Sequence, residues 1–172
     1  MLAAAEELLA EGGLERLSVG RLSERSGVHH ASIYRRWGSV EGVVVDLAAE
    51  RVMRESPIPD TGTLRGDLLA YARTAAASIA GPDGLNLLKG VILATAGTGT
   101  SGATSPLLDR GSEIQAMLDR ADARGEPALR FTQVIDHLLA PIYFRRIFGI
   151  GGVDEALLGD LVDRLLAPGS PS

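Results

Sequence analysis

Residues 18–37, SVGRLSERSGVHHASIYRRW, predict two short helices joined by a tight turn. Val19 and Leu22 give the first helix an apolar face, and Ser23 is small where two helices must cross closely. Ser18 is a good cap for that helix. Gly27 supplies the turn, where a positive φ would strain any side chain. Val28 and Ile33 face back toward the first helix. A small residue, a glycine four positions later and an aliphatic six after that is the spacing of a helix-turn-helix. The second helix then presents His29, His30, Ser32, Tyr34, Arg35 and Arg36 outward. These are donors suited to phosphate oxygens and base edges, with His30 and Ser32 placed early enough to read bases. Trp37 is expected to anchor the core of this head rather than to touch nucleic acid.

These residues resemble the DNA-binding end of a TetR-type repressor, whose usual pattern is close to S-V-x-x-L-A-E-R-A-G-V-S-x-A-T-L-Y-R-R-W-x-S-K-E. The chain agrees at Ser18, Val19, Leu22, Glu24, Arg25, Gly27, Val28, Ala31, Tyr34, Arg35, Arg36, Trp37, Ser39 and Glu41. The likeness spans Leu9 to Leu47. It implies that the Ser18 hydroxyl bonds a DNA phosphate as well as capping its helix, and that His29 stands where a serine commonly caps the recognition helix. Val40 departs from the pattern: the family usually has a lysine there that meets the DNA backbone, and its loss would lower the salt slope by about one unit. Family members also usually carry a further turn, often after a basic arm, before the point at which this chain starts.

A length of 172 residues fits one large domain, or a small head on a larger body, with a real core. Hydrophobic residues make up 45% of the chain, which argues a globular protein, and aromatics only 4%, so the core must be aliphatic. A net charge of −5 looks wrong for a nucleic-acid binder, yet the charge on the docking face is what counts. There Arg21, Arg25, Arg35 and Arg36 stand against Glu24 alone. The absence of cysteine excludes disulfides and thiolate metal sites and permits a cytoplasmic home. No apolar run reaches membrane-spanning length, and Glu6 and Glu7 argue against a signal peptide. His29 and His30 point roughly 100° apart on a helix, with no further ligand at useful spacing, so no metal is expected. No cofactor is expected either: residues 97–102, GTGTSG, fit a dinucleotide-loop pattern but lack a βαβ setting, and read as an interhelix loop.

The remainder predicts helices throughout. Leu2 to Ala10 forms one, ended by Gly12 and Gly13. Ser39 opens another that runs past Val43, Val44, Leu47 and Val52 to Arg54, where Ser56-Pro57-Ile58-Pro59 breaks it. Asp60 and Thr61 are the expected caps of a helix from Leu64 to Ala80. The next, Gly84 to Ala96, should turn Leu85, Leu88 and Ile92 inward, with Leu87 a further candidate. Ser105-Pro106 starts a helix carrying Leu107, Leu108, Ile114, Met117 and Leu118. Phe131 to Phe148 has a wide apolar stripe, and Pro141 within it frees the His137 carbonyl and predicts a kink. Val153 to Ala167 forms the last helix. The fold class is therefore all-α, about nine helices, with a three-helix head over residues 1–47, a body over 48–167 and a disordered tail at 168–172.

The last two helices bear apolar faces broader than one body needs. Pairing them with their copies in a second chain would make a four-helix bundle. Leu138, Ile142, Leu157, Leu161 and Leu165 are the candidate interface residues, and the resemblance implies the same pairing. Tyr71, Met117 and Asp136, picked for size or polarity on body helices, are candidate effector contacts. An aliphatic body with few polar groups favours an apolar or amphipathic effector. The resemblance implies a homodimeric repressor whose heads enter successive major grooves of a near-palindromic double-stranded DNA operator. An effector would release it by favouring a dimer with wrongly spaced heads. Enzymatic chemistry finds no support: Asp136 and His137 are adjacent, hence on different helix faces, and no nucleophile is organised around them. The alternative reading is a helical dimeric scaffold or sensor that has lost DNA binding.

Overall fold

The computed structural model describes residues 1–97 and 105–167, and all the regular structure among them is helical. The order is α1 (Leu2–Gly12), a single 3-10 turn (Leu14–Arg16), α2 (Val19–Ser26), α3 (His30–Trp37), α4 (Val40–Glu55), α5 (Leu64–Ser78), α6 (Pro82–Gly97), α7 (Ser105–Ala123), α8 (Phe131–Val134), a π turn (Ile135–Leu139), α9 (Ala140–Phe148) and α10 (Glu155–Leu166). The glycine-rich stretch after Gly97, expected to be a loop, and the tail expected at 168–172 lie outside the described residues. The chain divides into two compact units, Met1–Val52 with Gly81–Leu107, and Met53–Ala80 with Leu108–Ser172.

The first unit closes on an aliphatic core of Leu8, Leu9, Leu22, Ile33, Val43, Leu47 and Leu87. Leu87 brings α6 into that core, so the unit takes in a helix that a boundary at residue 47 leaves to the body. Gly90 explains the close approach. A Cβ there would lie 2.6 Å from Val44 Cγ1 and 2.9 Å from Leu14 Cδ2. Leu87 and Gly90 share one helix face, and this sets the phase of α6. Ile92 is consequently turned outward, 44% exposed, where the sequence pattern had placed it inward.

In the second unit α10 packs on α5 and on the π turn. Leu64, Leu68, Tyr71, Ile114, Met117, Leu138, Ile142, Val162 and Leu165 are buried. The cap of α5 is Thr63, not Asp60 or Thr61: its hydroxyl accepts from Gly66 N at 3.1 Å. Thr61 is occupied elsewhere, giving its N–H and hydroxyl to Asp67 Oδ1 at 2.6 and 2.7 Å. Asp67 is wholly buried, and Arg124 approaches its other oxygen at 3.6 Å. Pro141 does not break its helix. Having no N–H for the His137 carbonyl, it follows directly on a π turn in which Ala140 N–H bonds Ile135 O, five residues back. The proline then sits in the first turn of α9, where a missing N–H costs least.

Candidate nucleic-acid interface

Three short helices seat the candidate reading surface. Ser18 has extended backbone, and its Oγ accepts from Arg21 N at 3.2 Å, starting α2. Gly27 ends α2 with φ 71° and gives its N–H to Ser23 O at 2.9 Å. A side chain in that left-handed conformation would be strained, which is why the turn holds glycine. His29 then caps α3, its Nδ1 accepting from Ala31 N at 3.3 Å. Ile33 is fully buried and fixes the inner face of α3 against the core.

The outer face follows from that seating. His29, His30, Tyr34, Arg35 and Arg36 are exposed and Ser32 is half-buried. Tyr34 leaves 55% of its surface to solvent. Ser18 and Tyr34, 16 positions apart in the chain, come to line one cleft of about 540 Å³ with Val19, Val40, Glu41 and Leu93. Trp37 is half-buried against the core and donates from Nε1 to Asp46 Oδ2 at 2.7 Å, while the Arg36 guanidinium lies 4.8 Å from the centre of its ring. That pair ties the end of α3 to α4. Asp46 carried no signal of its own in the sequence, because its role depends on a contact between helices.

Arg25 does not belong to the positive surface. Its guanidinium donates to Glu7 at 3.0 Å and to both oxygens of Glu11 at 2.8 and 3.2 Å. The hydrogen bond from Arg25 holds the Glu11 carboxyl below its ordinary range, and the same bonds raise the arginine. A cation so paired braces α1 against α2 and has little left for a phosphate. At Glu41 the carboxyl is also lowered, first by its own backbone N–H and then by the Ser39 hydroxyl.

The other candidate residues fall differently. Tyr71 and Met117 are buried in the second unit, whereas Asp136 is exposed and lines a shallow groove of about 430 Å³ with Ala140, Pro141, Phe144, Arg145 and Ile150. The structure therefore does not gather these three at one place. Of the five candidate interface residues, Leu138 and Ile142 have no exposed surface, and Leu161 and Leu165 are buried as well. Only Leu157 keeps partial exposure. The centre of the apolar stripe is thus taken up by the chain's own core. The exposed large apolar groups in this part of the chain are Ile135, Phe144, Phe148 and Ile150, with Phe144 turned away from buried Ile142. Among the described residues no group of three or more His, Cys, Asp or Glu could hold a metal ion. No helix among them is long and apolar enough to cross a membrane.

Comparison with known proteins agrees with this geometry. The family described as "Bacterial regulatory proteins, tetR family" matches residues 1–47, and "Tetracyclin repressor-like, C-terminal domain" matches residues 58–165. The uncharacterized HTH-type transcriptional regulator YdeS of Bacillus subtilis is 26% identical, over 94% of this chain and 84% of that protein. The DNA-binding transcriptional repressor TetR of Mycobacteroides abscessus is 28% identical, over 96% and 90%. The crystal structure of the TetR family transcription regulator SCO0332 superposes with a TM-score of 0.82 at 26% identity, covering 99% of this chain and 96% of that one. A three-helix reading head on an all-helical body defines a helix-turn-helix transcriptional regulator, a class that carries no enzymatic activity. The chain belongs to the TetR family.

Proposed function

We propose that this regulator is a homodimeric repressor that binds a near-palindromic operator and lets go when a small effector enters its body. The observation that carries the reading is the set of exposed donors on α3, held rigid by buried Ile33 and by the His29 cap. In this reading α3 lies in the major groove, with His30 and Ser32 toward base edges. Ser18, His29, Tyr34, Arg35 and Arg36 hold phosphates and set the register. The Mycobacteroides abscessus relative is named a DNA-binding transcriptional repressor, which supports the direction of control.

Exposed Phe144, Phe148 and Ile150 support the dimer. The Phe144 and Phe148 rings stand 4.6 Å apart and form a ready apolar ridge. Two copies of this face would pair around a two-fold axis and remove the ridge from water. The effector would lie in the body near buried Tyr71 and Met117, binding one arrangement of the dimer more tightly than the other. Such a regulator acts beside the chromosome, in the cytoplasm.

Fluorescence anisotropy on the intergenic DNA flanking the gene tests the reading. The intact protein should bind such a fragment at low salt. A Tyr34→Phe plus Arg36→Ala variant should bind more weakly, with a salt slope lower by about one unit for the lost arginine charge. A folded protein that binds no flanking fragment would instead be the helical scaffold without DNA binding.

A further inference from the structure

The second unit buries a cation that the DNA-binding reading does not use. Arg110 on α7 is only 7% exposed. Its Nη1 donates to Glu113 Oε2 at 2.7 Å, and its Nη2 donates to the carbonyl of buried Ser56. The guanidinium carbon lies 5.3 Å from the centre of the Tyr71 ring. Its Nε is buried and has no hydrogen-bond acceptor. A guanidinium offers five N–H donors and does not lose its proton in proteins, so the unmet Nε–H cannot be relieved by titration. Buried donors without a partner are uncommon in folded proteins, and each asks for an acceptor.

Two tyrosines, Tyr71 and Tyr143, lie near enough to feel that guanidinium. Burial, and then Tyr71, push the Tyr143 hydroxyl up to about 12, while Arg110 pulls it down. Tyr143 thus keeps its proton at neutral pH and has an O–H to give. Tyr71 presents its ring to Arg110 and is itself buried. The charge balance selects among anions. Glu113, the carboxylate that pairs with Arg110, has a side chain 46% exposed, so water shares in screening it. Arg110 paired with Glu113 is neutral overall, so a ligand carrying one negative charge disturbs that balance less than the two of a phosphate monoester.

We propose that Arg110, with Tyr143 and Tyr71, reads the headgroup of the effector, and that the effector is a monocarboxylate on an apolar body. The acid would accept from Arg110 Nε–H and the Tyr143 hydroxyl. Buried aliphatic neighbours on the same helices, Leu68 on α5 with Ile114 and Met117 on α7, would take the apolar part. This rests on the ligand-responsive reading above and narrows it from an apolar or amphipathic compound to an acidic one.

The test uses the full chain and two matched pairs of probes, octanoate with octanamide and phenylacetate with phenylacetamide. Binding is followed by calorimetry and by the arginine Nε–Hε resonances of isotope-labelled protein. At least one carboxylate should bind about tenfold tighter than its amide and move the Arg110 Nε–Hε signal. Arg110→Gln, first shown to keep wild-type helical circular dichroism, should lose that margin and leave amide affinity unchanged. Should Arg110→Gln fail to fold, the resonance in the wild-type chain decides. The proposal is overturned if neither carboxylate binds, if acid and amide bind equally, or if the Arg110 signal stays still at saturation. Adding flanking operator DNA separates the two layers. Amides that release DNA with Arg110 silent would sink the carboxylate site and leave the ligand-responsive reading standing. Carboxylates that move Arg110 without releasing DNA would keep the site and remove the reading.

Discussion

Single side chains in the head divide into those that hold it and those offered to a partner. Ile33 has no exposed surface, while neighbouring Tyr34 is 55% exposed. Ile33→Ala should cost roughly 2–5 kcal/mol of stability through the cavity it leaves, seen in urea denaturation, and should weaken DNA binding only through that loss. Ser18 has both duties. Ser18→Ala removes the bond to Arg21 N and should lower stability by about 1 kcal/mol. If the hydroxyl also meets a phosphate, the folded variant should bind operator DNA more weakly at fixed salt, with the salt slope unchanged; unaltered affinity would mark Ser18 as a cap alone. The alternation of inward Ile33 with outward donors was legible in the sequence, because helical period and side-chain polarity are local properties. That Arg25 is spent on Glu7 and Glu11 was not legible, because those partners lie 18 and 14 positions away on another helix.

Between helices, two contacts make checkable claims. Gly90→Ala would drive a methyl to within 2.6 Å of Val44 and 2.9 Å of Leu14. Overpacking there should cost roughly 1–3 kcal/mol and loosen α6 from the first unit, read as faster amide exchange along that helix. The brace between α1 and α2 is a pH matter. Arg25 depresses the Glu11 carboxyl below its ordinary 4.5, so the stability it adds is present above that value and is lost as pH falls through the lowered one. Glu155 and Asp163 on α10 are depressed in the same sense by Arg73 and Arg65. The thermal midpoint should therefore fall between about pH 5 and about pH 3, and Glu11→Gln should flatten that fall. An unaltered pH profile in the variant would show that the brace is silent in solution. Salt bridges this exposed are also screened, so the contrast should shrink at high ionic strength.

For the whole regulator the question is which apolar surface the chain keeps and which it shares. Leu138 and Ile142 are consumed internally, whereas Phe144 and Phe148 remain 55% and 62% exposed. A Phe144→Ser plus Phe148→Ser variant should keep its helical content and sediment at half the mass of the wild type in analytical ultracentrifugation. Retention of the wild-type mass would place the pairing face elsewhere. Weaker operator binding should accompany the smaller mass, since one head alone gives up the second half-site.

The all-α class, the helix-turn-helix and the identity of its outward residues were written in residue order, because periodicity, capping and a turn glycine act over a few positions of chain. Contacts distant along the chain decided the rest. Gly90 against Val44 drew α6 into the first unit and rotated Ile92 outward. At the expected proline kink, a π turn precedes Pro141 and gives Ala140 N–H to Ile135 O. Packing of α10 on α5 and the π turn buried Leu138, Leu161 and Leu165 within the chain, and Phe144 and Phe148 stayed exposed. A stripe of apolar residues shows that a helix will be covered; which part of the stripe is covered by the same chain is settled only when the other helices arrive.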